Sequence, residues 1–455
     1  MSRRCGIVKA VTGSAHVSSS GPHPAAVPTP EAPPFPGTGA RQSSLRSTNL
    51  ALVAQQVFSA REPISRADIS AATGMTRSTA SRLADELVSA GILMEHTPLP
   101  THRPGRPAVP LTPAPGTIAA LGLEAGVTYL AVRAIDLTGS ILAERIARQD
   151  STDSDPAAVL GELAEMTRRV LRDDTVRRAR IIGAALALPG LVSGDRLLRA
   201  PNLGWADLRP VEYLRPALTT PSATGASTTA SAAPPSSYPR GPQTVLLGNE
   251  ADLAALTAAR RRPAGPPGVG GADFVYLSGE EGIGAGLVRN GELWHGANGF
   301  AGEIGHVQVA ANGPTCSCGN TGCLERFAGR QSILVAAGMA ADAGPEQLLQ
   351  AWHDDSSPSH VRARTALRAA AQALGIALGA AVNILDIPTI ILGGQLAPLT
   401  EVLRPALEED LARRVLGSRW SAPQILPAPD DEAPGATGGA WSLLEAVIVD
   451  PSAWI

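Results

Sequence analysis

Three of the chain's four cysteines and one histidine lie together in a stretch of 18 residues, and this cluster constrains the fold more than any other feature. The cysteines are Cys316, Cys318 and Cys323, and His306 precedes the first of them by ten residues. Three thiolates and one imidazole make a complete tetrahedral ligand set for structural zinc. Reduced cysteines can instead serve as small buried hydrophobic residues. Because four potential ligands are so closely spaced, the pattern favours a metal, and we predict Zn2+ as a structural cofactor.

Length and composition indicate a large intracellular protein. A chain of 455 residues is expected to form two or three domains. Its hydrophobic content of 44% is enough for real cores, and a net charge of −3 excludes only a protein that is basic throughout. No apolar run approaches the roughly 20 residues of a membrane span, and no secretory leader follows Arg3 and Arg4. Cysteines in a zinc pattern rather than a disulfide framework are typical of a reducing compartment. We expect a cytoplasmic protein with no membrane partner.

The first part of the chain changes from a tail to a helical domain. Residues 1–43 are rich in Pro, Ser, Gly and Ala without apolar periodicity, so we expect them to be disordered. Residues 44–116 predict a winged helix-turn-helix domain. A capping box begins its second helix at Ser65, Gly74 supplies a turn, and Thr76 caps a third helix. Short helices with a glycine turn before the last are typical of helix-turn-helix domains.

The third helix and the following wing carry the candidate DNA contacts. Ile69 and Ala72 of the second helix are expected to face inward, whereas the third helix leaves hydroxyls and arginines exposed. Recognition helices place such side chains in the major groove. Between the wing strands Ile92–Leu93 and Val109–Leu111, a loop would bring two arginines to phosphate or to a neighbouring minor groove. The candidate contacts are Thr76, Arg77, Ser78, Ser81, Arg82, Arg103 and Arg106. Similar helical domains bind proteins, but arginines on both helix and wing favour DNA.

Residues 117–455 form the second predicted domain. Strands and helices alternate along it, which indicates an α/β architecture. Residues 219–242 are low in complexity, and sheet elements continue on both sides of them. We therefore interpret this segment as an inserted loop rather than a linker between domains.

The cysteine cluster belongs to a longer motif that resembles the signature of the ROK family, named for repressors, open reading frames and sugar kinases. The matching segments are Gly302-Glu303-Ile304-Gly305-His306, Cys316-Ser317-Cys318-Gly319 and Gly322-Cys323-Leu324-Glu325. This resemblance implies a two-lobed actin-like ATPase fold, zinc held by the histidine and cysteines, and two glutamates at a sugar pocket. The segment RADISAATGMTRSTASRLADELVSAGIL likewise resembles winged-helix bacterial regulators, and RPGRPA resembles the wing of ROK repressors.

The same resemblance identifies candidate sugar contacts. Carboxylates and amides suit a polyol because each can satisfy two hydroxyl oxygens. Taken alone, Asn202 is an ordinary turn residue after a proline, and Glu325 suits the solvated start of a helix. With the resemblance, the candidate contacts are Asn202, Asn249, Glu250, Glu303, His306 and Glu325.

Three departures from the ROK kinase pattern argue against phosphoryl transfer. The first phosphate turn, close to Asp-x-Gly-Gly-Thr in the kinases, reads Glu124-Ala125-Gly126-Val127-Thr128 here. In the second turn, Glu280 and Glu281 would put negative charge beside a triphosphate. The kinase base is the aspartate of an Asn-Asp pair, and Glu250 in its place shifts the carboxylate by roughly an ångström. Asp252 is a possible substitute for this base, but it lies two residues further along the start of a helix and is expected to point away from the site. We predict that ATP chemistry is lost and that no residue is catalytic.

The sequence therefore predicts a sugar-responsive transcriptional regulator, a repressor of carbohydrate genes with a degenerate kinase domain. Its expected partners are operator DNA, a sugar or sugar phosphate, and further copies of itself in a homodimer or homotetramer. One alternative is an ATP-dependent sugar kinase that carries a DNA-binding domain. Another is a protein-interaction scaffold.

Overall fold

The computed structural model describes residues 42–97, 109–218, 244–261 and 273–455. The predicted disordered tail lies outside the described residues except for 42 and 43, which already belong to the first helix. Arg103 and Arg106 of the predicted wing loop also lie outside the described residues, as does the low-complexity segment 219–242.

The N-terminal domain consists of three helices and a small three-stranded sheet. Its elements in order are α1 (Gln42–Ser59), β1 (Ile64–Ser65), α2 (Arg66–Thr73), α3 (Arg77–Ser89), β2 (Leu93–Glu95) and β3 (Pro110–Pro113). The sheet has the order β1-β3-β2, with both pairings antiparallel. The winged helix-turn-helix prediction is confirmed, and β1 is a wing strand that the sequence did not reveal.

Local sequence signals set the helix ends of this domain. The capping box is present, since Ser65 N–H donates to Asp68 Oδ2 at 2.9 Å and Asp68 N–H donates to Ser65 Oγ at 3.3 Å. Gly74 ends α2 with a φ of 72°, a left-handed conformation that glycine adopts without strain. The Thr76 hydroxyl caps α3 by accepting from Thr79 N–H at 3.2 Å. The inward placement of Ala72 was wrong, because Ile69 alone is buried on this eight-residue helix and Ala72 is exposed.

The first lobe of the second domain is built on a five-stranded sheet. Its order is β11-β7-β4-β5-β6, with β11, β7 and β4 parallel and β4, β5 and β6 antiparallel. A separate three-stranded sheet, β10-β9-β8, lies at the ends of these strands. The elements are β4 (Ile118–Ala125), β5 (Tyr129–Asp136), β6 (Ile141–Arg148), α4 (Pro156–Leu171), α5 (Asp174–Arg178), β7 (Arg180–Leu188), β8 (Leu191–Ser193), β9 (Arg196–Ala200), β10 (Trp205–Leu208), α6 (Pro210–Leu218) and β11 (Thr244–Asn249).

The second lobe has its own five-stranded sheet, with the order β14-β13-β12-β15-β16. Two short 3-10 helices, Ile304–His306 and Pro451–Ala453, accompany its regular elements. These elements are α7 (Glu250–Arg261), β12 (Phe274–Gly279), β13 (Ile283–Arg289), β14 (Glu292–Leu293), α8 (Glu325–Ala328), α9 (Arg330–Ala337), α10 (Pro345–His353), α11 (His360–Leu385), β15 (Thr389–Gly394), α12 (Thr400–Arg414) and β16 (Gln424–Pro427). The last α-helix, α13 (Pro434–Val449), returns to pack on the sheet of the first lobe. The two similar lobes confirm the predicted α/β, actin-like architecture.

Helix α11 is, in the described part of the chain, the one helix long and apolar enough to cross a membrane by length and composition. Most of its apolar face is buried inside the second lobe, from Ala363 to Val382. Core helices of globular lobes have this character, so its composition is explained by packing.

Helix α13 joins the two domains. It lies against β4 so closely that a Cβ on Gly122 would sit 1.7 Å from Ala436 O. Its C-terminal half shares one buried apolar cluster with the DNA-binding domain. That cluster includes Leu50, Val53, Ala54, Val57, Leu83, Leu87, Ile118, Ile135, Leu443, Leu444 and Val447. The DNA-binding domain is therefore packed onto the first lobe through a common core.

Candidate functional site

A cleft of about 740 Å³, counting its open mouth, lies between the two lobes. The first lobe contributes the β4–β5 turn, the Pro189-Gly190 corner and the residues after β9. The second lobe contributes the start of α7, the β12–β13 turn and the metal-ligand loop. All six predicted sugar contacts line this one cleft: Asn202, Asn249, Glu250, Glu303, His306 and Glu325. Folding thus brings together side chains that are up to 123 residues apart in sequence.

Asn202 and Glu325 approach each other across a glycine. A Cβ on Gly282 would lie 2.6 Å from Asn202 Nδ2 and 3.0 Å from Glu325 Oε2. Asn202 follows β9 in the first lobe, whereas Glu325 begins α8 in the second. The absence of a side chain at Gly282 therefore lets an amide and a carboxylate from opposite lobes face the same space.

Asn249 serves mainly to position Glu250. Its Oδ1 accepts from Ala251 N–H at 2.8 Å and Asp252 N–H at 3.2 Å, and its Nδ2 donates to Gly190 O at 2.9 Å. This is an N-cap of α7 joined to the first lobe, and an asparagine before a helix is a signal that sequence reasoning could have used. Asp252 lies 3.1 Å from His295 Nδ1.

Two glutamates of the cleft, Glu250 and Glu280, have pKa values above the ordinary range of a carboxyl group. Burial raises the pKa of Glu250 well above its ordinary value, and the nearby Glu124 and Glu280 raise it further. Burial, reinforced by Glu124, raises the pKa of Glu280 to about 7. Glu281 is held by Arg330, with Nη1 to Oε2 at 3.3 Å. Carboxyls that retain protons can donate hydrogen bonds to sugar oxygens, whereas any that ionise would repel a triphosphate.

Glu124 does not face the cleft as the predicted phosphate turn implied. It is fully buried, and it accepts from Tyr129 O–H at 2.6 Å and from Ala436 N–H, in the first turn of α13, at 2.8 Å. Burial is the main cause that raises its pKa to about 7. Glu124 therefore caps α13, while Tyr129 lines the cleft on its other side. Sequence reasoning missed Tyr129, and no local signal marks it.

Replacing Glu124 with glutamine is expected to flatten the pH dependence of stability. Below about pH 4.5 both folded and unfolded chains hold this proton, and the contribution of the group is fully present. As pH rises toward about 7, the unfolded chain releases the proton first, so stability is progressively lost. Glutamine can still accept from Ala436 N–H and donate to Tyr129. We expect the loss between pH 5 and 8 to shrink by on the order of 3 kcal/mol. Denaturant unfolding of both proteins at pH 5 and pH 8 measures this difference in the free energy of unfolding.

The control for this experiment is the same substitution at Glu292, whose side chain is exposed. An unchanged pH dependence in the Glu124→Gln protein would show that Glu124 is ionised in the folded chain across this range.

His306, Cys316, Cys318 and Cys323 form the candidate metal centre. Their ligand atoms all lie within 4.8 Å of one another. The Cys318–Cys323 Sγ atoms are 3.7 Å apart, as are Cys316 Sγ and His306 Nδ1. A tetrahedral ion with Zn–S bonds of about 2.3 Å separates its ligands by about 3.8 Å. The residues therefore fit zinc in chemistry and in spacing.

The metal centre and the sugar contacts share side chains. His306 turns Nδ1 toward Cys316, and its Nε2 lies 3.9 Å from Glu303 Oε2. Glu325 Oε1 lies 2.8 Å from Cys316 Sγ and 3.8 Å from His306 Nδ1. A carboxylate near the second nitrogen of a ligand histidine favours one orientation of the ring, and at 3.9 Å Glu303 is near His306 without a hydrogen bond. A metal here would thus set the positions of His306, Glu303 and Glu325 together.

The third helix of the N-terminal domain presents the predicted DNA contacts. Arg77 and Ser78 are exposed in its first turn, and Ser81 is half-buried. Arg82 is exposed and donates to Glu86 at 2.6 Å, so its guanidinium already has a partner. Within the described residues Arg77 makes no ion pair. The Thr76 hydroxyl caps α3, so Thr76 would support DNA binding by fixing the start of this helix.

Comparisons with known proteins agree with both halves of this description. Residues 244–446 match the model described as ROK family, and residues 57–95 match the model of the IclR helix-turn-helix domain. A xylose repressor of Caldicellulosiruptor bescii is 26% identical over 81% of this chain and 88% of its own length. A glucokinase of Halalkalibacterium halodurans is 24% identical over 70% of this chain and 93% of its own.

Among solved structures, a ROK family transcriptional regulator described as a homolog of the E. coli MLC protein has the same fold. The match has a TM-score of 0.64 at 21% identity, and it covers 89% of this chain and 98% of that one. The match extends over nearly all of that regulator, so the two chains share the architecture described above.

Proposed function

Because the chain carries a ROK family domain together with an IclR-type helix-turn-helix domain, we propose that it is a sugar-responsive transcriptional repressor. In this proposal α3 binds operator DNA, and the cleft between the lobes binds a sugar or sugar phosphate that weakens the DNA complex. Curated relatives named as xylose repressors match over most of their length, which supports this function.

The convergence of six polar side chains in one cleft is the observation that carries the proposal. Amides and carboxyls from both lobes line one cleft, and a few convergent polar groups of this kind fix the orientation of a small ligand. A ligand held from both sides stabilises the closed arrangement of the lobes. The first lobe shares a core with the DNA-binding domain, so a change in lobe closure reaches α3.

We further propose that the repressor works as a homodimer or homotetramer in the cytoplasm. Two recognition helices that read half-sites one helical turn apart require a two-fold partner. Zinc is the proposed structural cofactor, held by His306, Cys316, Cys318 and Cys323. Its contribution is to fix the loop that carries the sugar contacts.

The test is an operator-binding assay with a panel of monosaccharides and sugar phosphates. Binding to genomic fragments upstream of carbohydrate genes is measured at physiological salt, because nonspecific binding depends steeply on ionic strength. We expect one sugar to reduce operator affinity and to stabilise the protein, by about 2.7 kcal/mol at 100 times its dissociation constant. A chain that binds no operator at this salt would instead be an interaction scaffold.

An ATP-dependent sugar kinase is the second candidate, supported by the glucokinase relative and by the position of Glu250 in the cleft. The buried carboxyls Glu250 and Glu280 argue against a kinase, because ionised carboxylates in the cleft would repel ATP phosphates. In a coupled assay with ATP and hexoses we expect turnover far below the roughly 1–100 per second of kinases. Clear turnover would replace the repressor proposal with a bifunctional one.

A further inference from the structure

Arg199 joins the first lobe to the metal-ligand loop of the second. It lies on β9, and its guanidinium donates to Ser317 O at 3.0 Å and to Cys318 O at 3.5 Å. The two acceptors belong to the turn between the ligands Cys316 and Cys318. Arg199 is not one of the residues that line the cleft.

The strand that carries Arg199 also delivers the first lobe's sugar contact. β9 is held by pairing with β8 and β10, and its Leu197 and Ala200 are buried. Asn202 follows Arg199 by three residues. In the second lobe, the metal-ligand loop to which Arg199 donates ends at Cys323, two residues before Glu325. The contact between Arg199 and the loop therefore lies close in sequence to a sugar candidate in each lobe, Asn202 and Glu325.

Charge makes the contact depend on the metal. A Zn2+ ion with three thiolates and a neutral imidazole has a net charge of about −1. A guanidinium at the carbonyl of a ligand cysteine is attracted to that centre. The same carbonyls belong to the turn that carries the ligands Cys316 and Cys318. Loss of the metal would thus remove the charge and one constraint on the acceptors.

We propose that Arg199 is a positioning residue that links lobe closure to the metal centre. Its contact holds Asn202 opposite Glu325, so sugar affinity depends on the metal through this side chain. This inference rests on the proposed sugar-binding function. It adds a determinant of affinity that lies outside the sugar contacts themselves.

The experiment compares Arg199→Met with Arg196→Met. Arg196 is an exposed arginine on the same strand, but its partner is Asp207 on β10, within the same small sheet. Sugar affinity is measured by calorimetry, and zinc release to a coloured chelator is measured without sugar. We expect Arg199→Met to weaken sugar binding by about fivefold and to speed zinc release. Arg196→Met should match the natural protein in both, and Arg199→Lys should fall between.

The outcomes separate this proposal from the function beneath it. Equal sugar affinity and equal zinc release for Arg199→Met and Arg196→Met would overturn the role of Arg199. If the natural protein binds no sugar in the panel, the proposed function fails, and zinc release still decides whether Arg199 braces the metal loop. A large loss of thermal stability in Arg199→Met without sugar would contradict a positioning role, since the side chain is exposed.

Discussion

Replacing Cys318 with serine is expected to weaken sugar binding strongly while leaving operator binding intact. Cys318 is the half-exposed ligand, so the substitution removes a thiolate with little loss of packing. Without the metal, His306 and Glu325 lose their common anchor. Groups that orient a metal site typically change affinity or activity by about 10–100-fold when altered, and we expect sugar affinity to fall at least that far. Metal analysis, calorimetry with sugar and operator-shift assays measure the three effects.

The functional consequence would be a repressor that sugar no longer releases. The buried core of the DNA-binding domain is shared with the first lobe and α13 and includes no residue of the metal-ligand loop, so operator affinity without sugar should change by less than about twofold. Ser317→Ala is the matched control, because it alters the neighbouring side chain and keeps the backbone carbonyl that Arg199 uses. A metal-free Cys318→Ser protein with normal sugar affinity would contradict a structural role for zinc.

Replacing Arg77 with alanine should weaken operator binding more than any other single change in α3. Arg77 is exposed in the first turn of the recognition helix, where side chains reach base edges. An arginine that contacts a base or phosphate contributes about 1–3 kcal/mol, which corresponds to roughly 5–150-fold in affinity. Arg82→Ala should cost less, because Arg82 must leave Glu86 before it can bind DNA. Fluorescence anisotropy with labelled operator gives both values.

Salt dependence distinguishes specific contact from lost charge. Arg178→Ala on α5 removes the same charge from an exposed position in the other domain, and it should leave affinity unchanged. If Arg77→Ala and Arg178→Ala behave alike, α3 is not the recognition helix. A loss confined to the salt slope, with sequence preference retained, would assign Arg77 to phosphate rather than to a base.

The features that sequence predicted well are those with local causes. A capping box, a left-handed glycine and a threonine cap each depend on residues within four positions, so Ser65, Gly74 and Thr76 could be placed correctly. The metal ligands also lie within one short segment. Ala72 was misplaced because a helix of eight residues gives too few apolar positions to fix its inner face.

The features that sequence could not predict depend on contacts between distant segments. Glu124 accepts from the N–H of Ala436, which lies 312 residues later, so nothing near Glu124 indicates that it caps α13. Arg199 reaches a loop that lies 118 residues later. The resemblance to a known family placed the six sugar candidates in one pocket, but it could not show that Asn249 donates to Gly190 O, 59 residues earlier in the chain.

Helix α13 would act as a lever between the cleft and the DNA-binding domain if closure of the lobes tilted it. It has 16 residues and is therefore about 24 Å long. Its first turn rests on Glu124, one side chain from the cleft, and its last turns pack against α1. A tilt of about 5° at the pivot displaces the far end by about 2 Å over this length. Two such levers in a symmetric dimer would change the spacing of the recognition helices by twice that amount, which is enough to misalign one half-site.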